Sequence, residues 1–162
     1  MTAKMLSLDP TKCTGCKECE IACSKKHAGF NDPVLSRIHV ISEGNGSGFY
    51  LPTTCQHCED PPCLSICPNK AIYRDNDLNR VMIRTNLCIG CRMCVSACPF
   101  GAMGFNPDSG LAFKCDLCDG DPACVRACEP KALDYVEGHR LHQPRMLDSA
   151  NKHYRVIRKM IM

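Results

Sequence analysis

The chain has no tryptophan, and aromatic side chains make up only 6 % of its 162 residues. Apolar residues reach 44 %, but 16 of them are cysteines, and without these only about a third of the chain is apolar. A domain of this length ordinarily buries more carbon, so something other than side chains is expected to fill its middle. No run approaches the ~20 apolar residues of a membrane-spanning helix, so no membrane span is expected. The first ten residues (MTAKMLSLDP) show no apolar signal core, no twin arginine and no small-residue cleavage site. No basic patch with interleaved aromatics occurs, so nucleic acid is not an expected partner. In a secreted chain this much cysteine would read as a disulfide framework. Without a signal segment, the simplest compartment is a reducing cytoplasm, where thiolates bind metal. Export of a folded complex by a signal-bearing partner stays open.

What is present is a repeat. The cysteines form four runs with none left over. Run one is Cys13, Cys16, Cys19 and Cys23. Run two is Cys55, Cys58, Cys63 and Cys67. Run three is Cys88, Cys91, Cys94 and Cys98. Run four is Cys115, Cys118, Cys124 and Cys128. Runs two to four continue into similar segments, PNKAIYRD, PFGAMGFN and EPKALDYV. Each predicts a tight turn, a buried alanine and a short strand. Short strands are also expected before the runs, at Met5–Leu8, Val81–Arg84 and Leu111–Phe113. A helix is expected around Cys19–His27. The predicted fold is therefore α+β, built of small ferredoxin-like units. Between runs one and two, Arg37–Ile41 and Phe49–Leu51 are expected to form a hairpin, read as solvated surface, with a partner contact as the alternative.

The spacing selects the metal. Cysteines at i, i+3 and i+6 wrap one cubane and supply three corners, while the next cysteine, four residues on, serves a different cluster. Runs one and three match this spacing in full; runs two and three end in Cys-Pro. Structural zinc typically uses two CxxC-like pairs far apart, and a third cysteine three residues after a CxxC suits it poorly. Sixteen thiolates fill four [4Fe–4S] clusters, leaving no open iron for substrate, so an electron carrier without catalytic residues is expected. Each oxidised cluster with its thiolates adds about −2, which turns the formal +3 into about −5.

On these residues, from about 4 to 136, the chain resembles the four-cluster iron–sulfur subunits of molybdenum- or tungsten-pterin oxidoreductases. Examples are those of dimethyl sulfoxide reductase, formate dehydrogenase and tungsten aldehyde oxidoreductase. Similar subunits accompany nickel hydrogenases and carbon monoxide dehydrogenase, and a free polyferredoxin is a further alternative. The resemblance implies that runs pair one with four and two with three. Cys13, Cys16, Cys19 and Cys128 would hold one cluster, and Cys23, Cys115, Cys118 and Cys124 its neighbour. Cys55, Cys58, Cys63 and Cys98 would hold a third, and Cys67, Cys88, Cys91 and Cys94 the fourth. Pairing one with two and three with four is the alternative. The implied organisation is a split module (1–28 plus 107–136) carrying a hairpin insertion (29–54) and an inserted module (55–106). The implied partner is a large catalytic subunit, with a tungsten or molybdenum site favoured. A globule of this size is roughly 40 Å across, so four clusters would lie about 10 Å apart.

Three further features carry expectations of their own. The six histidines are expected at the surface or behind the ligands, with His57 the candidate hydrogen-bond donor to a cluster. Lys17, Arg92 and Lys114 are expected to be solvated charges, with a raised cluster potential as the alternative role for a minority of such residues. In segment 137–162, Leu147, Ala150, Tyr154, Ile157 and Ile161 recur at helical spacing among basic residues. It is expected to be a helical docking element for a partner subunit or another copy of this chain, with packing on its own domain, or binding at a membrane surface, as the alternatives.

Overall fold

Short apolar stretches broken by Asn, Asp, Gly and Pro can form only short elements, and hairpins close most of them. The computed structural model describes residues 4–42 and 48–138, with positions 146, 150, 154 and 157–160 of the C-terminal segment. The elements begin with β1 (Lys4–Leu8), α1 (Glu18–Ala28), β2 (Ile38–Ser42) and β3 (Tyr50–Thr54). They continue with α2 (Pro62–Ser65), β4 (Ile72–Asp75), β5 (Arg80–Ile83) and α3 (Met93–Ala97). Last come β6 (Met103–Asn106), β7 (Leu111–Lys114), α4 (Ala123–Arg126) and β8 (Leu133–Glu137). Helices and antiparallel strand pairs alternate, an α+β arrangement.

The strands make four two-stranded sheets: β1 with β8, β2 with β3, β4 with β5, and β6 with β7. Three are local hairpins. The fourth joins the two ends of the cysteine-bearing region, with Lys4 opposite Glu137 and Leu8 opposite Leu133. Turn chemistry fixes the hairpin registers. At the β6–β7 turn, Asn106 Oδ1 accepts the Asp108 N–H at 2.9 Å, and the Gly110 N–H returns to the Asn106 carbonyl at 2.9 Å. At the β4–β5 turn, Asp75 Oδ1 accepts the Asp77 N–H at 3.1 Å.

The repeat read in the sequence is a repeat in space. Three residues after the last cysteine of runs two, three and four, the chain turns through left-handed backbone at Lys70 (φ 50°), Gly101 (φ 60°) and Lys131 (φ 55°). Each N–H returns to the carbonyl of that cysteine at 3.2 Å. Behind the turns, Ala71 and Ala132 are buried as expected, whereas Ala102 is half-buried.

Two cores result. One gathers Cys19, Cys23, Ile38, Val40, Cys124, Cys128, Ala132 and Leu133. The other gathers Cys63, Ile72, Val81, Cys94, Met103 and Ala112. Helix α1 packs on α4, and α2 on α3. The β2–β3 hairpin departs from the expectation of a solvated surface. Ile38 and Val40 are 1 % and 6 % exposed, and Pro52 and Thr54 on the partner strand are also buried. Ile41 and Leu51 face outward. Alternation puts one face of the hairpin into the first core, where burying Ile38 contributes about 1.5–3 kcal/mol.

Candidate metal centres

The third cysteine of every run lies in a helix: Cys19 in α1, Cys63 in α2, Cys94 in α3 and Cys124 in α4. The fourth lies inside the helix only for Cys23; Cys67, Cys98 and Cys128 follow the helix end. The loops before these helices bend through positive φ. In runs one and three the bends fall at Gly15 and Lys17, and at Gly90 and Arg92, matched positions between and after the first two cysteines. In run four, Leu117, Cys118 and Asp119 are all left-handed, which is how its longer loop closes on itself. None of the sixteen thiols is in a disulfide.

The quartets cross between runs. Cys13, Cys16, Cys19 and Cys128 line one cavity. Cys55, Cys58, Cys63 and Cys98 line a second. Cys67, Cys88, Cys91 and Cys94 line a third. The remaining four also meet: burial, then Cys115, Cys23 and Cys118, push the Cys124 thiol far above its ordinary range.

Cys23 and Cys124 share a core with Cys19 and Cys128. Cys124 also feels Cys19, and Cys115 feels Cys55, so the Cys23 quartet neighbours those of Cys13 and Cys55. Of the sixteen cysteines only Cys16 and Cys91 are exposed, and they belong to the Cys13 and Cys67 quartets.

The donor set fits an iron–sulfur core. Each of the three cavities presents four soft sulfur donors. Burial first, and like neighbours second, raise the thiols, Cys19 to about 12 and Cys115, chiefly through burial, to about 11. Four thiolates in such a space are unstable unless a cationic core sits among them. Backbone donors aim at several sulfurs: the N–H of Arg37 at Cys23 Sγ (3.3 Å), of Ala71 at Cys67 Sγ (3.3 Å), and of His57 at Cys55 Sγ (3.4 Å). Such bonds favour thiolate and tune a bound cluster.

Charged groups surround the Cys23 quartet. Asp116 Oδ2 meets Arg37 Nη1 at 2.5 Å, and Oδ1 lies 3.5 Å from His27 Nε2. Burial opposes ionisation of Asp116, but Arg37 and the Cys118 N–H outweigh it and hold its pKa below the ordinary value. His27 Nε2 is also 3.6 Å from Cys118 Sγ. Burial, then Arg37, lower its pKa. At the Cys55 quartet, burial, then Lys114, lower that of His57 to about 3.

Lys114 corrects the sequence reading. It is 4 % exposed, not solvated, and its Nζ donates to the carbonyls of Val81 and Cys115. Lys17 and Arg92 are exposed as expected, with Arg92 stacked 3.9 Å from the Phe105 ring centre. Glu20, buried and accepting the Val40 N–H at 2.5 Å through Oε1, is not marked out by the sequence. The alternation of Lys114 with the buried Ala112 gives a signal for the first; Glu20 has none.

Residues 47–138 match the 4Fe–4S dicluster domain model, and residues 10–26 a 4Fe–4S binding domain. The chain belongs to the 4Fe–4S dicluster family. It is 39 % identical to the electron transport protein HydN of Escherichia coli strain K12, over 86 % of this chain and 91 % of that one. It is 37 % identical to the B subunit of anaerobic dimethyl sulfoxide reductase of the same strain, over 79 % of this chain and 70 % of that one. Among solved structures it is similar to a chain of the active site complex BamBC of benzoyl coenzyme A reductase with benzoyl-CoA. There the TM-score is 0.51 and identity 26 %, over 99 % of this chain and 98 % of that one. The dicluster family member is thus an iron–sulfur electron-transfer subunit, not an enzyme in its own right. Among the described residues no helix is long and apolar enough to cross a membrane.

Proposed function

We propose that each quartet holds one [4Fe–4S] cluster and that the four form a line through the Cys13, Cys23, Cys55 and Cys67 sites. The observation that carries this reading is the convergence of cysteines from different runs on single cavities, Cys128 with run one and Cys98 with run two. A bound cluster accepts and returns one electron without exchanging its ligands. The chain's part is to hold the sulfurs, exclude water from the inner sites and leave the ends accessible at Cys16 and Cys91. The pairing of β1 with β8, and a core shared by runs one and four, support an inserted module (55–106) within a split one.

The partner proposed is a large oxidoreductase subunit carrying a tungsten or molybdenum site. Similarity to a dimethyl sulfoxide reductase subunit and to a benzoyl coenzyme A reductase subunit supports it. Sixteen reduced thiols suit a reducing cytoplasm. Cys16→Ser and Cys91→Ser proteins, purified anaerobically, are expected to lose or alter different EPR signals while the other sites stay filled. Loss of one shared signal in both would overturn the assignment. Metal analysis of the co-purified large subunit tests the partner; neither tungsten nor molybdenum would refute it.

A further inference from the structure

At three of the four proposed sites the nearby cation is solvated or paired with a carboxylate. Beside the Cys13 site, Lys17 is exposed and the buried charge is the carboxylate Glu20, adjacent to Cys19. Beside the Cys67 site, Arg92 is exposed. Around the Cys23 site, Arg37 is paired with Asp116.

The Cys55 site differs. Lys114 and His57 both line its cavity. The Lys114 ammonium is buried, and its contacts are the carbonyls of Val81 and Cys115 (2.8 Å for the latter) and His57 Nδ1 at 3.4 Å. Among the described residues no carboxylate pairs with it. The neighbouring Arg80 is paired, with Asp75 and Asp119, each at 2.8 Å. A buried cation with only neutral partners is costly unless an anion sits nearby. Its effect on Cys63, next after burial, favours thiolate.

His57 adds a directed donor. Its Nδ1 accepts the Val81 N–H at 3.0 Å, with the Lys114 ammonium approaching the same atom. Nδ1 is therefore the acceptor and the ring proton sits on Nε2. That Nε2 is buried and has no partner among the protein atoms described. Its remaining acceptor is whatever fills the cavity.

We propose that Lys114 and His57 make the Cys55/Cys58/Cys63/Cys98 site the highest-potential point of the line, where a single transferred electron comes to rest. A reduced cluster carries one more negative charge than an oxidised one, so an unneutralised ammonium and an N–H···S bond favour the reduced state. Both are positioning groups; neither touches substrate. The proposal rests on the cluster assignment above.

The test is an EPR-monitored redox titration of the anaerobic holoprotein. Wild type is expected to show one cluster reduced well before the others, its signal being the one altered by Cys58→Ser. Lys114→Met is expected to lower the reduced-to-oxidised ratio of that cluster at least tenfold at fixed potential, equal to about 59 mV for one electron. Lys114→Arg is expected to retain most of the wild-type value. A smaller shift, a shift shared equally by all four, or a shift in a signal that Cys58→Ser leaves intact overturns the proposal. Should Lys114→Met lose iron, spin-echo spectroscopy of ¹⁵N-histidine-labelled His27→Phe protein decides. A histidine nitrogen coupled to the reduced high-potential cluster supports the proposal; absence of coupling overturns it. Failure of the cluster assignment would instead appear as an incomplete iron content in wild type.

Discussion

Gly90 and Gly101 offer a matched pair for separating backbone strain from packing. Both have left-handed φ, +69° and +60°. An alanine at either position therefore meets the same backbone penalty, about 1–2 kcal/mol. Their surroundings differ. A Cβ at Gly101 meets nothing within 4 Å, whereas one at Gly90 would overlap the Gly110 carbonyl oxygen. That oxygen belongs to the β6–β7 turn and cannot swing aside as a side-chain tip does. Forcing the two loops apart adds about 1–3 kcal/mol. Gly101→Ala is thus expected to cost about 1–2 kcal/mol and Gly90→Ala about 2–5 kcal/mol. Gly90 also lies between Cys88 and Cys91, so its displacement should empty the Cys67/Cys88/Cys91/Cys94 site first. Anaerobic urea unfolding, followed by cluster absorbance together with iron per chain, measures both effects. Equal midpoints and equal iron in the two variants would refute the reasoning, because the backbone overlap is what sets the two positions apart.

Two further outcomes are expected. Asp116→Ala leaves Arg37 without its carboxylate and removes the acceptor of the Cys118 N–H (2.9 Å). For this part-buried network the loss is about 1–3 kcal/mol, with the Cys23/Cys115/Cys118/Cys124 site losing iron first; unchanged thermal unfolding would contradict it. Deleting 144–162 should abolish co-purification of the large subunit while leaving iron per chain near normal, because Met146, Tyr154, Ile157 and Met160 are all more than half exposed. Retained co-purification would remove the docking role from this segment.

Cysteine spacing made the metal centres legible because a cubane imposes its geometry on a short loop. Four donors around one small core leave few workable spacings, so local sequence carries the information. The post-cysteine turns were legible for a similar reason: the motif ends at a fixed place and the chain must reverse there. Hairpin burial was harder to read. Val40 and Ile41 are adjacent apolar residues, and only the tertiary fold decides that Val40 enters the core while Ile41 faces out.

Charge placement was the least legible, and Lys114 shows why. Its neighbours in sequence are Phe113 and Cys115, which say that a strand leads into a ligand loop. They do not say that Val81, 33 residues earlier, supplies the carbonyl that receives its ammonium. Nor do they say that His57, 57 residues earlier, stands beside it. A motif fixes which atoms touch iron, because that requirement is short-ranged. The charge around the cluster is set by side chains from remote strands, because Coulomb interactions reach further than ligand bonds. Thus four sites with the same ligands, and so with little to distinguish them by motif, acquire different surroundings: a buried carboxylate beside Cys19 and a buried ammonium beside the Cys55 cavity. If potential follows charge, the order of the sites along the line is a property of the fold as a whole and not of the cysteine runs.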